Sequence, residues 1–150
     1  MDPYEHRPPS NQDPLGDISV LYVSVLLRAA EAEGVNVEDL TRRFQLNEQT
    51  LTSPAARISI PRFMRLGHAA IQACGNAALG LRMGALSRPV DAGIAGLAGE
   101  SSSTAGAAAQ TLIRYSLLTS RNSRGTPKSE PENRRLQFYS IRPYNAFNYF

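Results

Sequence analysis

Apolar residues recur at helical spacing along much of the chain. The clearest stretch covers residues 18–33, where positions three and four apart predict one buried helix face. The residues of this face are Ile18, Leu21, Tyr22, Val25, Leu26 and Ala29. Asp17 is placed to cap the start of this helix, and Gly34 is placed to end it.

The same spacing predicts several further helices. A short one follows Asn36 as cap, with Val35 and Leu40 placed for a hydrophobic staple. A longer one starts at Pro61 and puts Cys74 on its packed face as a small hydrophobe. Three more are predicted over residues 77–87, Val90–Gly99 and 105–118. Their expected buried sets are Leu79, Met83 and Leu86; Val90, Ile94 and Leu97; and Ala108, Leu112, Tyr115 and Thr119.

The two ends of the chain differ from this helical pattern. Residues 1–16 carry four prolines and few apolar residues, which indicates a tail before a single domain over residues 17–150. Residues 119–134 are polar and predict a loop, and Leu136–Ile141 predicts a strand. The predicted fold is therefore α+β, a mainly helical bundle of about five to six helices followed by the start of a small, truncated β-sheet.

Composition limits the possible classes of protein and the compartment in which it works. A length of 150 residues suits one domain. A net charge of +3 is too small to indicate nucleic-acid binding, and the arginines are scattered along the chain. A single cysteine excludes an internal disulfide framework. No apolar run of membrane-spanning length and no secretory signal is present, so we expect no membrane contact and a cytoplasmic protein.

Residues 35–51 have the apolar spacing of a helix-turn-helix. The second helix would run only from Asn47 to Thr52 before Pro54, with Glu48 as its sole charge. A recognition helix needs enough length to cross the major groove and basic residues to reach phosphates. We therefore interpret this segment as a packed helix and turn, with no DNA-binding residue in the chain.

Catalytic and metal-binding patterns are missing from the sequence. There is no nucleophile elbow, and the histidines are His6 in the tail and His68 beside the apolar stripe of a helix, without metal-ligand spacing around it. Glycines at 93, 96 and 99 lack the spacing and lysine of phosphate loops, so we interpret them as sites of close helix packing. We expect no enzyme activity, no cofactor and no metal.

Three polar residues stand out against apolar surroundings. Arg82 lies between Leu81 and Met83, Asp91 precedes the glycine-rich segment, and Tyr115 lies on the apolar side of a helix. Each is a candidate for lining a small-molecule pocket, and each is equally compatible with the surface or the edge of the core.

The order of several segments resembles one protein family. These segments are Gly34-Val35 before a short helix, then Leu46 and Leu51, then Ala56–Pro61, Leu79–Gly84, Asp91-Ala92-Gly93 and a helix ending Arg114-Tyr115. Over roughly residues 18–142 the chain is similar to the N-terminal arabinose-binding-like domain of AraC-type transcription regulators, in its mainly helical subgroup. One departure is that Ala107 stands where the family often has a Glu that completes a capping box with Thr104.

The resemblance implies a regulatory domain that senses a small-molecule effector or forms a homodimer. It also implies that DNA is bound only through a C-terminal domain that would follow this chain, which we expect to end inside the regulatory domain. A ligand-independent interaction module is the alternative. It is suggested by the small residues Gly93, Gly96 and Gly99 and by the aromatic stretch Tyr144–Phe150.

Overall fold

The computed structural model describes residues 16–122, 127–130, 132 and 135–137 of the chain. The helices of this part are α1 (Leu21–Ala32), α2 (Val37–Arg43), α3 (Glu48–Thr52), α4 (Ile60–Cys74), α5 (Leu79–Leu86), α6 (Gly93–Glu100), α7 (Ala105–Arg114) and α8 (Ser116–Thr119). A single 3₁₀ turn, Pro89–Ala92, precedes α6. The strands are β1 (Gly16–Ser19), β2 (Arg57–Ser59), β3 (Ser120–Asn122), β4 (Lys128–Glu130) and β5 (Arg135–Gln137). The predicted α+β class with a helical majority is confirmed. The described part has eight helices where five to six were predicted, and the additional ones, α3 and α8, have only five and four residues.

Helix α1 is the centre of the core. It packs against α4 and α5, and half of its residues are buried: Val23, Val25, Leu26, Leu27, Ala29 and Ala30. Leu66 of α4 and Leu79 of α5 are almost completely shielded from solvent. The helix ends before Gly34, whose φ of +83° suits a residue without a side chain, as the sequence predicts.

The predicted start of the first helix is wrong. Residues 16–19 form β1, the middle strand of an antiparallel sheet of order β2-β1-β3, with Ile18 opposite Ile58 and Ser120. Asp17 does not cap α1, which follows Val20 without a side-chain cap; its carboxylate instead pairs with Arg57. Ile18 fits helical periodicity, but two neighbouring strands give its backbone hydrogen bonds that no local pattern reveals.

The next helices follow the predicted caps. The Asn36 side chain accepts a hydrogen bond from the Glu38 amide at the start of α2. Pro61 lies in the first turn of α4, and Gly75 with φ +68° ends that helix. Helix α3 has five residues, a little over one turn, and Glu48 is its only charged residue.

The segment predicted as one helix over Val90–Gly99 is divided into the 3₁₀ turn and α6, and its buried face is the opposite of the predicted one. Ile94 is 77% exposed, whereas Ala95, Gly96 and Gly99 are buried. A Cβ on Gly96 would lie 1.7 Å from the Pro89 carbonyl oxygen. Gly96 therefore permits close backbone packing, as predicted, whereas a Cβ on Gly93 or Gly99 would have its nearest neighbour at an ordinary 3.5 Å. Burial of the small residues leaves Ile94 and Leu97 facing outward.

The C-terminal part corrects two further predictions. Residues 119–134 are not all loop, because β3 and β4 lie within them. The predicted helix over 105–118 is interrupted at Tyr115, between α7 and α8. Strand β5 pairs with β4 and overlaps the start of the predicted strand Leu136–Ile141. Residues 138–150 and residues 1–15 of the predicted tail lie outside the described residues.

Candidate functional site

Asp91 is the one candidate pocket residue that is buried, with 8% of its surface exposed. Both of its carboxylate oxygens accept hydrogen bonds from the Arg28 guanidinium, at 3.1 Å from Nη1 and 2.5 Å from Nη2. The backbone amide of Arg88 donates to the same carboxylate at 2.8 Å. This is the two-pronged geometry that guanidinium and carboxylate groups favour.

The hydrogen bonds from Arg28 lower the pKa of Asp91 to about 2, against the raising effect of burial, and Arg88 adds to the lowering. Arg28 also donates to the Leu86 carbonyl oxygen at 3.4 Å. The ion pair thus joins α1 to the end of α5 and to the 3₁₀ turn. Arg28 is not among the predicted site residues, although it is the only charged residue in the apolar stretch Val20–Ala30.

Arg82 is held by a second ion pair, with Glu33 at the C-terminal end of α1. Its Nε lies 3.5 Å from Glu33 Oε1, and the other carboxylate oxygen of Glu33 accepts a hydrogen bond from Asn76. Asp91 contacts α1 through Arg28, and Arg82 contacts the end of α1 through Glu33. The structure gives both residues intramolecular partners that fix α5 on α1.

Tyr115 lies apart from this pair of interactions, at the end of α7, with 44% of its surface exposed. No hydrogen bond or ion pair within the described residues joins it to Arg82 or Asp91. The three predicted residues therefore do not form one cluster of polar contacts. A ligand role for each of them stays a prediction.

An open cleft lies between the end of α2 and the outer side of α4. Its volume is about 350 Å³, within the usual range for sites that bind small molecules. The lining residues are Arg43, Phe44, Arg65, His68, Ala69 and Gln72. We call this space the α2–α4 cleft. None of its lining residues carries a carboxylate, so the charges of its walls are positive.

Two interactions shape the α2 wall of the cleft. The Arg43 guanidinium lies over the Phe44 ring, 5.7 Å from the ring centre. Arg62 of α4 donates to the carbonyl oxygens of Phe44 and Gln45 and so covers acceptors at the end of α2.

The arginines are scattered along the chain, as predicted, but the fold brings some of them together. Packing of α2 on α4 brings Arg43 and Arg65 to one cleft, and it brings Arg62 to the carbonyl oxygens at the end of α2. A local signal was present: α4 contains two arginines and His68 but no Asp or Glu. The cleft itself needs a tertiary contact between two helices, which helical periodicity does not predict.

A second surface is formed by α6, α7 and α8, which pack against one another. It carries exposed large side chains, which we call the α6–α8 apolar face: Ile94, Leu97, Leu112, Tyr115, Leu117 and Leu118. Grouped apolar side chains on a soluble domain mark surfaces that bind other molecules.

The described residues contain neither a cluster of metal ligands nor a helix suited to a membrane. No group of three or more His, Cys, Asp or Glu in this part is arranged to hold a metal ion. None of the described helices combines the length and the apolar character needed to cross a bilayer. Cys74 is a free, half-buried thiol in contact with the core.

Comparison with known proteins places these features in a family. The family described as "Arabinose-binding domain of AraC transcription regulator, N-term" matches residues 34–149, about three quarters of the chain. The match includes helices α2 to α8, the α2–α4 cleft and Asp91. No curated protein gives a significant match. The match confirms the predicted resemblance, and the chain belongs to the family of arabinose-binding N-terminal domains of AraC transcription regulators.

Proposed function

We propose that this chain is an effector-sensing domain that binds a small molecule and transmits the binding to an attached DNA-binding unit. Membership of the AraC regulatory-domain family carries this proposal. A ligand shifts the equilibrium between two conformations only by the difference in its affinity for them. The domain must therefore contain an element whose position the ligand changes.

Helix α2 and its neighbour α3 suit that role. Leu40 is the only buried residue of α2, and α3 has none. Segments with little burial open at low free energy, so a ligand can shift their position without disrupting the core. The α2–α4 cleft lies between this weakly held helix and α4, which packs on α1 in the core.

Thermal unfolding with a panel of metabolites tests effector sensing. The sample is first checked by far-UV circular dichroism for the helical content of the fold. An effector at a hundred times its Kd adds about 2.7 kcal/mol to the free energy of unfolding. A folded sample that no metabolite class stabilises contradicts the proposal.

The alternative is a domain that forms homodimers without any ligand. The α6–α8 apolar face favours it, because five of its six side chains are hydrocarbon and none is charged. An uncharged face can pair with its own copy across a two-fold axis without like-charge repulsion. A second copy of the chain is the partner that we propose for this face.

Sedimentation at several concentrations tests self-association with a matched pair of variants. Ile94 in the face and Leu81 on α5 are 77% and 79% exposed. We expect Ile94→Asp to shift the chain to monomer and Leu81→Asp to leave the dimer intact. A wild-type chain that is monomeric at every concentration contradicts homodimerisation. A dimer seen only with an effector would favour sensing over a ligand-independent module.

The remaining expectations stay predictions. Arg82, Asp91 and Tyr115 are proposed as ligand contacts, and for Arg82 and Asp91 this role is in addition to their ion pairs with Glu33 and Arg28. Arg82→Gln separates the two roles: a contact residue changes effector Kd by much more than it changes the free energy of unfolding. We also propose that the chain has no enzyme activity and works in the cytoplasm.

A further inference from the structure

Arg43 and Arg65 differ from most other arginines of the described residues in having no carboxylate partner there. Arginines at six other positions form ion pairs with Asp or Glu: Arg28, Arg42, Arg57, Arg82, Arg88 and Arg121. Arg43 contacts only the Phe44 ring among the interactions of this part, and Arg65 has no hydrogen bond or ion pair in it. Both arginines line the α2–α4 cleft.

None of the described residues that line the cleft is acidic. Helix α4 carries no acidic residue, and the two acidic residues of α2, Glu38 and Asp39, lie in its first turn, at the other end of the helix from Arg43; Asp39 is paired with Arg42. The carbonyl oxygens at the end of α2 would repel an anion, but Arg62 covers those of Phe44 and Gln45.

The cleft also offers a surface for an apolar group. The Phe44 side chain is half-buried, and Ala69 on the opposite wall is 8% exposed. Stacking on the ring restricts the Arg43 guanidinium and leaves its N–H edge able to donate two parallel hydrogen bonds. The amide of Gln72 can donate or accept at the same cleft.

We propose that the α2–α4 cleft binds a small organic anion, a carboxylate or phosphate monoester with a planar or apolar body. The oxyanion lies between Arg43 and Arg65, and the body rests against Phe44 and Ala69. The cleft volume of about 350 Å³ limits the ligand to a small molecule. The inference rests on the proposed function for the idea that this anion is the effector, whereas binding itself can be tested separately.

Amide NMR spectra of the ¹⁵N-labelled chain test the proposal with four probes of similar shape. Benzoate and phenyl phosphate are the anions and separate a carboxylate from a phosphate ligand. Benzamide is the neutral probe, and benzylammonium is the cation. We expect at least one anion to shift amides at the end of α2 and along α4, with benzamide about ten- to a hundredfold weaker, as befits a lost charged hydrogen bond. Equal binding of benzamide, preferred binding of benzylammonium, no binding of either anion, or shifts spread over the whole chain would overturn it.

Variants locate the binding. Arg65→Gln removes a guanidinium that makes no polar contact within the described residues, so the variant should keep the fold. Arg43→Gln removes the guanidinium on the opposite wall of the cleft. Each should weaken the anion about tenfold or more. Arg114→Gln, an exposed arginine on α7 away from the cleft, is the control and should leave binding unchanged. Unchanged binding in both cleft variants, or equal loss in the control, overturns the assignment.

Two further measurements distinguish anion binding in the cleft from a contact with the DNA backbone and from effector binding elsewhere in the domain. A short DNA duplex that shifts the cleft amides while neither anion does would overturn it in favour of a phosphate-backbone contact. A metabolite that stabilises wild type and both cleft variants equally would uphold effector sensing but overturn the anion site as the effector site. Anion binding in the cleft without stabilisation by any metabolite would support the site and contradict the proposed function.

Discussion

Replacing Asp91 by asparagine should destabilise the fold at neutral pH by about 2 kcal/mol. The pKa of about 2, against 3.8 for an ordinary Asp, corresponds to about 2 kcal/mol of preferential stabilisation of the charged form. Solvent screening lowers this to about 1–2 kcal/mol, because the Arg28 side chain is 34% exposed. The variant also leaves Arg28 without its carboxylate, which adds to the loss.

The loss should depend on pH in a defined direction. Because the pKa of Asp91 is lower in the folded chain, its carboxylate stabilises the fold fully above the unfolded pKa of 3.8. That contribution disappears as the pH falls towards about 2. The difference between wild type and Asp91→Asn should therefore be constant from neutral pH to about pH 5 and shrink below it.

Urea denaturation followed by far-UV circular dichroism at several pH values measures this difference. Asp39→Asn is the matched control, since the Asp39–Arg42 pair has side chains 67% and 75% exposed and should contribute under about 0.5 kcal/mol. Equal losses in the two variants, or an Asp91→Asn loss that does not change between pH 5 and pH 3, would refute the reasoning.

Three further predictions use the same urea denaturation. Gly96→Ala should destabilise the chain by about 1–3 kcal/mol, because the added Cβ would lie 1.7 Å from a backbone carbonyl oxygen. Gly106→Ala is the control: this position in α7 has open space around it, so the change should stabilise the chain by about 0.5–1 kcal/mol. Equal effects of the two changes would contradict the packing argument. Thr104→Ala removes the hydroxyl that accepts a hydrogen bond from the Ala107 amide at 3.1 Å and should lower the free energy of unfolding by about 1 kcal/mol. Ala107→Glu completes the capping box and should raise the free energy of unfolding by about 0.3 kcal/mol. A stabilising Thr104→Ala or a destabilising Ala107→Glu would contradict this account of the cap. Leu66→Ala empties a site with no exposed surface and should cost about 2–5 kcal/mol, and a loss below 1 kcal/mol would show that α4 is not part of the core.

Helices whose stability comes from one apolar face and a local cap could be predicted from the sequence. Helix α4 shows why: Pro61 at its start and Gly75 at its end are local signals, and the buried positions keep one period between them. The cap at Asn36 is predictable for the same reason. Each of these signals lies within a few residues of the structure that it specifies.

Structure that depends on distant partners could not be predicted in this way. β1 looks helical by period and is a strand because of residues 57–59 and 120–122. Ile94 has the spacing of a core residue, but α6 buries its small residues Ala95, Gly96 and Gly99 instead, and Gly96 lies close to the Pro89 carbonyl oxygen. The cleft required α2 to meet α4, and Arg28 acquires its role only when Asp91 folds back onto α1.

The central position of β1 has a consequence for how the domain forms during translation. Its neighbours are Arg57–Ser59 on one side and Ser120–Asn122 on the other, and the second pairing joins segments about a hundred residues apart. At a synthesis rate of about 5–20 residues per second, one edge of β1 waits about 5–20 s for its partner. The nascent domain therefore exposes an unpaired strand edge until residue 122 has left the ribosome, a period in which a chaperone or a neighbouring chain can compete for it.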